Sequence, residues 1–359
     1  LHLQEVCYIH IRRHDLKNKK QSRIARAVGV IINGGLLTGC LSFGVTAHAA
    51  ITFQFQYDTP GTGFLDPING SSWQTALNTA ASQFSTMFGS HFSNSGTIVL
   101  LATASNDLSS DTLASAGSEF NNPGVPGFNL GEVVRTKLQT GVDLNGSKAD
   151  GTVDINFGNN WELNYNVPAS NSQYDFYSTV FHELTHTLGF ASSIEQNGDP
   201  FFASSPRSWS TFDSFIVDKN GDRVINPSDY SLNSTAWFDG STGGASPAGG
   251  LFFDGANAMA ANGGHAVGLY TPESWSDGSS VSHLDDQNPA LAGMMMLSAS
   301  DTGPYARDYS SVEVGMLTDL GYSVAVVPEP ETYAMMLAGL GLLGWIARRR
   351  RQDEARGSN

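Results

Sequence analysis

The chain is short of cysteine and of positive charge. Its 359 residues include 2 Cys, and 19 Lys and Arg stand against 34 Asp and Glu. Two Cys cannot build the disulfide framework of a small secreted domain. A formal net charge of −15 excludes a nucleic-acid partner, which would require a basic face to meet phosphates. Internal repeats with a period of roughly 20–50 residues are missing, which excludes a solenoid or a propeller. Apolar residues are not scarce. At 40% of the chain they suffice for a packed core, so the chain as a whole is not disordered.

The few basic residues are concentrated at the two ends. Arg12, Arg13, Lys17, Lys19, Lys20, Arg23 and Arg26 precede an apolar stretch over 27–45, which runs into Ala47-His48-Ala49. Charge, then an apolar run, then small residues is the order of a secretory signal peptide, here 1–49. It implies the export machinery as a partner. At the other end, Val327-Pro328-Glu329-Pro330-Glu331 leads into an apolar segment over 332–347, followed by Arg348 to Arg351. That segment is a little short for a bilayer core, which asks for about 20 apolar residues, but the arginines can snorkel and hold that end in the cytoplasm. Pro-Glu-Pro, short span and arginine cluster together resemble the PEP-CTERM sorting signal of Gram-negative bacteria, placed over 327–351. The resemblance implies export, transient membrane anchoring and recognition by an exosortase-type processing enzyme. The processed protein would reside at the outer surface or in the extracellular matrix.

Between these ends the composition is different. Residues 50–327 hold 7 of the 19 basic and 28 of the 34 acidic residues, a net charge of −21, and no Cys. Such a body has no thiolate for a metal site or for a cysteine-based latency switch. The first strand candidate follows the cleavage site directly, which leaves no room for a folded propeptide, so the expectation is that no propeptide holds the protein latent.

The chemistry lies in Phe181-His182-Glu183-Leu184-Thr185-His186-Thr187-Leu188-Gly189-Phe190. On a helix, positions i and i+4 share one face, so His182 and His186 can turn a ring nitrogen toward one ion. Neutral imidazole suits Zn2+. Glu183, next to the first ligand, can serve as general base toward a water activated by the metal. Tyr174, Tyr177, Val180 and Leu184 recur at helical spacing, so the helix is expected to begin near Ser172 and to stop at Gly189 through a left-handed C-terminal residue.

H-E-x-x-H-x-x-G resembles the metzincin zinc proteases. There the glycine turns the chain toward a third histidine, but the corresponding residue here is Ser192, a poor zinc ligand. A leishmanolysin-like arrangement, with the third histidine much later, accommodates this. Ser282-His283-Leu284-Asp285 is the best match to that segment, and Met294-Met295-Met296 follows 11 to 13 residues later as a candidate Met-turn. Leu317 to Tyr322 resembles the helix and turn that end such domains. The resemblance implies His182, His186 and His283 as zinc ligands, with His265, Asp213 and Glu195 as alternatives for the third. It also implies a protein or peptide substrate.

The rest of the body is read from pattern. Ile51 to Tyr57 alternates as a strand, Trp73 to Phe88 has helical periodicity, and 97–102 and 152–157 are short strands, the last an edge strand for substrate. Asp218-Lys219-Asn220-Gly221-Asp222 resembles the start of a Ca2+ loop, but Asp229 stands where a Glu belongs, and Asn-Gly between two apolar runs favours a hairpin turn. Residues 238–264 hold eight Gly and read as a long loop or irregular insertion. The fold class expected is α+β, metzincin-like, with a twisted mixed sheet and an active-site helix over 50–190 and a mainly irregular C-terminal lobe over 191–326. The function expected is that of an exported zinc-dependent endopeptidase. The alternative is a matrix or surface structural or sugar-binding protein with a non-catalytic zinc site. Tyr305 and Tyr309 are candidates to assist an oxyanion, and nothing in the sequence selects between them.

Overall fold

A computed structural model of the chain describes residues 7–11, 51–58, 63–92, 94–201 and 207–322. Residues 1–323 form one compact unit and 324–359 a second. The sorting segment, its apolar span over 332–347, and residues 1–6 and 12–49 of the segment read as a signal peptide lie outside the described residues. Among the described residues, no helix is long and apolar enough to cross a membrane.

The described part is a mixed α/β structure. Its strands and helices follow in chain order as β1 (Cys7–Ile11), β2 (Ile51–Tyr57), α1 (Gly70–Phe88), β3 (Gly96–Ser105), β4 (Thr112–Ser118), α2 (Val133–Thr140), β5 (Gly151–Asn156) and α3 (Phe176–Thr187). Then come β6 (Ile216–Asp218), α4 (Ser234–Gly240), β7 (Leu251–Phe253), α5 (Ala256–Ala261), β8 (Val267–Gly268), β9 (Ala299–Ser300) and α6 (Ser311–Asp319). Six strands form the main sheet in the order β9-β1-β4-β5-β3-β2. β2, β3 and β5 run parallel, and β4 pairs antiparallel with β5 on one side and with β1 on the other. β1 then runs parallel to β9. Strands β6, β7 and β8 make a small antiparallel sheet.

The helices cover the sheet because their apolar residues lie on one stripe. In α1 the buried side chains are Ala76, Leu77, Ala80, Ala81, Phe84 and Phe88, spaced by the helical repeat. Phe84 and Phe88 meet Phe181 of α3 at ring-centroid distances of 5.9 and 6.0 Å. α3 is different, since all twelve of its residues are buried. It packs against β1, β4, β5 and α1. A helix enclosed on all sides gives its polar residues no access to bulk water, so each polar group on it needs a partner.

Two expectations are corrected here. The 152–157 strand is not an edge, because β5 lies between β3 and β4. β4 ends the run of four body strands β2-β3-β5-β4, and β1, from within the segment read as a signal peptide, occupies its outer side. Nor is the region over 238–264 a structureless loop. It contains the end of α4, then β7 and α5, and five of its eight glycines serve close approaches, as at Gly249, where an added Cβ would run into the Gly243 carbonyl oxygen.

Candidate metal centre

α3 is placed by its two ends. Asp175 caps its start, accepting hydrogen bonds from the N–H groups of Tyr177 and Ser178 at 3.1 Å each. Arg307 reaches the same carboxylate with Nε at 2.9 and 3.0 Å, which ties the helix to the chain ahead of α6. At the other end Gly189 adopts φ +92°, the left-handed conformation that glycine enters without a Cβ penalty. The chain reverses there, and the Phe190 carbonyl comes back over His186.

Each of three imidazoles is then held by its Nδ1. His182 Nδ1 lies 2.8 Å from the Met295 carbonyl oxygen, His186 Nδ1 2.7 Å from that of Phe190, and His283 Nδ1 2.9 Å from that of Ser279. A carbonyl can only accept, so all three Nδ1 atoms carry the proton and all three Nε2 atoms present a lone pair. The Nε2 atoms converge at 2.9 Å for His182 to His186 and 3.1 Å for each of the other two pairs. Three lone pairs at that separation cannot satisfy one another without a proton or a cation between them. All three rings are buried. Burial pushes His182 down to about 4 and the other two well below the ordinary imidazole value, with the neighbouring rings lowering them further. At neutral pH protons therefore do not fill the gap.

A metal ion fits this donor set. Tetrahedral zinc ligation at about 2.0–2.1 Å puts ligand nitrogens roughly 3.3–3.4 Å apart, close to the separations here. Among the described residues these three side chains form the one group of His, Cys, Asp or Glu compact enough to hold a metal ion. The three rings can hold a metal ion, and the fixed Nδ1 protons are the outer hydrogen bonds by which metal-binding histidines are oriented.

Glu183 lies on the next position of the same helix and is fully buried. Neither carboxylate oxygen has a hydrogen-bond partner. Burial pushes its pKa well above the usual carboxylate range, and Asp154 on β5 pushes it the same way. The N–H groups of Ala116 on β4 and Ile9 on β1 favour the charged form without closing a hydrogen bond. The helix comes this near the sheet because β4 is built of small residues. Ala114, Ser115, Ala116, Gly117 and Ser118 are all buried, and none has a side chain that would hold α3 away.

The alternatives for the third ligand are occupied elsewhere. Asp213 is buried, but its carboxylate accepts from the hydroxyls of Ser192 and Ser193 and the N–H groups of Ser193 and Ser210. Ser192, at the place of the usual third histidine, thus braces the chain after the turn. Glu195 and His265 are exposed. Glu195 belongs to the wall of an open cleft of about 480 Å3 beside the cluster, with Cys7, Tyr8, Ser192, Trp275 and Asp277 among its other walls. Met295 contributes its carbonyl to His182, and the next N–H, that of Met296, is held at 2.7 Å by Glu313 of α6. Neither tyrosine is directed at the cluster. Tyr309 Oη is 2.7 Å from Thr185 Oγ1 with its ring on Phe88, and Tyr305 Oη donates to the Ala299 carbonyl.

The Ca2+ expectation at 218–222 meets a turn. Asp218 Oδ1 accepts from the N–H groups of Asn220 and Asp222, and its Oδ2 accepts from the Asn220 amide. That carboxylate closes the reversal after β6.

Pattern reading did not find β4, the pairing of β1, or the cleft residues Trp275 and Asp277. β4 has no alternation of large apolar residues, which is the signal a strand ordinarily leaves in a sequence.

Residues 326–351 match the PEP-CTERM protein-sorting motif. That motif marks a secreted protein sorted to the cell envelope of Gram-negative bacteria and processed by an exosortase-type enzyme. No curated protein and no solved structure matches the chain.

Proposed function

We propose that this chain is an exported zinc-dependent endopeptidase, in which His182, His186 and His283 hold the metal and Glu183 is the general base. The observation that carries this reading is the conjunction of three converging Nε2 lone pairs with a buried, unpartnered carboxylate one residue from the first of them. A purely structural site has no use for that carboxylate, because a buried acid without a partner costs stability. Bound zinc would supply Lewis acidity toward a peptide carbonyl. The chain supplies the rest. Glu183, its pKa raised by burial, is poised to take a proton and return it to a leaving amine. β4, whose outer side is taken by β1 in this structure, is the strand along which an extended peptide would pair, replacing the 152–157 strand expected from sequence. The arrangement resembles a metzincin site in its helix motif and in the turn at Met295.

Glu183→Gln tests the reading, since it keeps the shape and removes the base. The expected result is loss of chelator-sensitive casein cleavage by about 10³-fold or more with about one zinc per chain retained. Cleavage that survives in this variant would remove Glu183 as the base, and wild-type protein that binds zinc and cleaves no protein would favour a structural or sugar-binding role with a non-catalytic metal.

A further inference from the structure

β1 lies in a slot that closes over the candidate centre. It pairs antiparallel with β4, Cys7 facing Ala116, Tyr8 facing Ser115 and Ile9 facing Ala114. On its other side it runs parallel to β9 through His10 and Ile11. Bonds outside the sheet hold it as well. Tyr8 N–H donates to the Gly278 carbonyl at 3.0 Å and His10 N–H to that of Ser298 at 3.1 Å. Ser279 donates its hydroxyl to the Tyr8 carbonyl at 2.9 Å, while its own carbonyl accepts from His283. The loop that positions the third imidazole thus also holds β1. Cys7 and Ile9 are buried at 2% exposure each, and Cys7 shares a small cavity with His186.

These contacts are chiefly made by main chain, so they specify an extended peptide rather than one side chain. They also cover the access that a substrate needs. A peptide pairing with β4 cannot do so while β1 is there, because a strand has one free edge. β1 precedes residues 47–49, the candidate cleavage site, so a cut there removes its covalent link to the body.

We propose that Cys7–Ile11 is a removable inhibitory strand that keeps the precursor latent, and that cleavage after Ala49 opens the groove. The proposal rests on the endopeptidase reading for its activity arm and replaces the expectation of a protein without any latency device. The tether makes a weak interaction sufficient. A linked segment acts at an effective concentration of the order of millimolar, so a free peptide that inhibits at about 100 μM corresponds to roughly tenfold or greater latency in the intact chain.

The test compares the purified full-length precursor with the same protein cut by signal peptidase after Ala49 and freed of the released segment. Casein cleavage should rise about tenfold or more on cutting. A fluorescent peptide of residues 5–12 should bind the cut protein, inhibit it, and be displaced by an unlabelled copy, while a scrambled peptide does neither. Tyr8→Pro, which removes the N–H that donates to Gly278, should raise the activity of the uncut precursor. Equal activity before and after cutting overturns the proposal, as does a peptide that fails to bind. Glu183-dependent cleavage within residues 7–11 makes the strand a substrate and overturns it too. A cut protein that binds the peptide but cleaves nothing supports docking of the strand and overturns the endopeptidase reading instead.

Discussion

Each imidazole of the cluster has its Nδ1 proton committed to a carbonyl, so removing one ring deletes a ligand and leaves a buried acceptor unpaired. His283→Ala is therefore expected to lose the metal, measured as metal per chain after gel filtration, and to melt at lower temperature. Asp213→Asn should behave differently. Its carboxylate serves Ser192, Ser193 and Ser210, so the variant should lose about 1–3 kcal/mol of stability and keep its metal. Stoichiometric metal in His283→Ala, with loss in Asp213→Asn, would reverse the assignment. Burial does not separate these two residues, since both lie below 2% exposure. Hydrogen bonding does. One acid is saturated by serines, and the imidazole has an unused nitrogen.

The element that organises the site is α3, and its ends are as consequential as its motif. Gly189 holds a left-handed conformation, and a Cβ there would meet Glu132 Oε1 at 3.1 Å and Arg135 Cδ at 3.2 Å. Gly189→Ala is expected to cost about 1–2 kcal/mol. It should also weaken metal binding, because the turn delivers the Phe190 carbonyl that orients His186. Urea unfolding of the chelated protein measures the first effect and a competitive chelator titration the second. A variant with unchanged metal affinity would show that the turn does not control the ring. The helix and its stop were legible in the sequence, because a 3.6-residue repeat and a glycine are local signals. The observed start is Phe176 rather than Ser172, since Asp175 captures the first free N–H groups. β4 was not legible. What makes it useful, small residues that let α3 approach, is also what removes the periodic signal of a strand.

At the scale of the whole molecule, the metal would join segments far apart in the chain. The three rings come from 182–186 on α3 and from the loop before Leu284, and the Met295 carbonyl and Glu313 connect them onward to α6. Chelation should therefore lower the melting temperature, by about 5–10 °C where free metal exceeds its dissociation constant a thousandfold. Differential scanning calorimetry with and without chelator checks this, and an unchanged melting temperature on loss of metal would mean that the segments hold together without it. The charge of the body is a property at the same scale. Its net −21 keeps it soluble and off polyanions, and it became visible only when the two basic ends were set apart.

Taken alone, the sequence determined the C-terminal sorting motif and the helix that carries His182, Glu183 and His186. Both are written in short-range order, a Pro-Glu-Pro, apolar and arginine succession in one case and an i, i+4 spacing in the other. The tertiary structure decided which of the four candidates stands beside them and which strands flank β4. A third histidine 97 residues from the second is brought in by loop closure, which has no period to read. Edge status depends on a strand's neighbours and not on its own residues. The same holds for Cys7–Ile11, whose place in the sheet comes from backbone pairing with β4 and β9 rather than from any feature of those five residues.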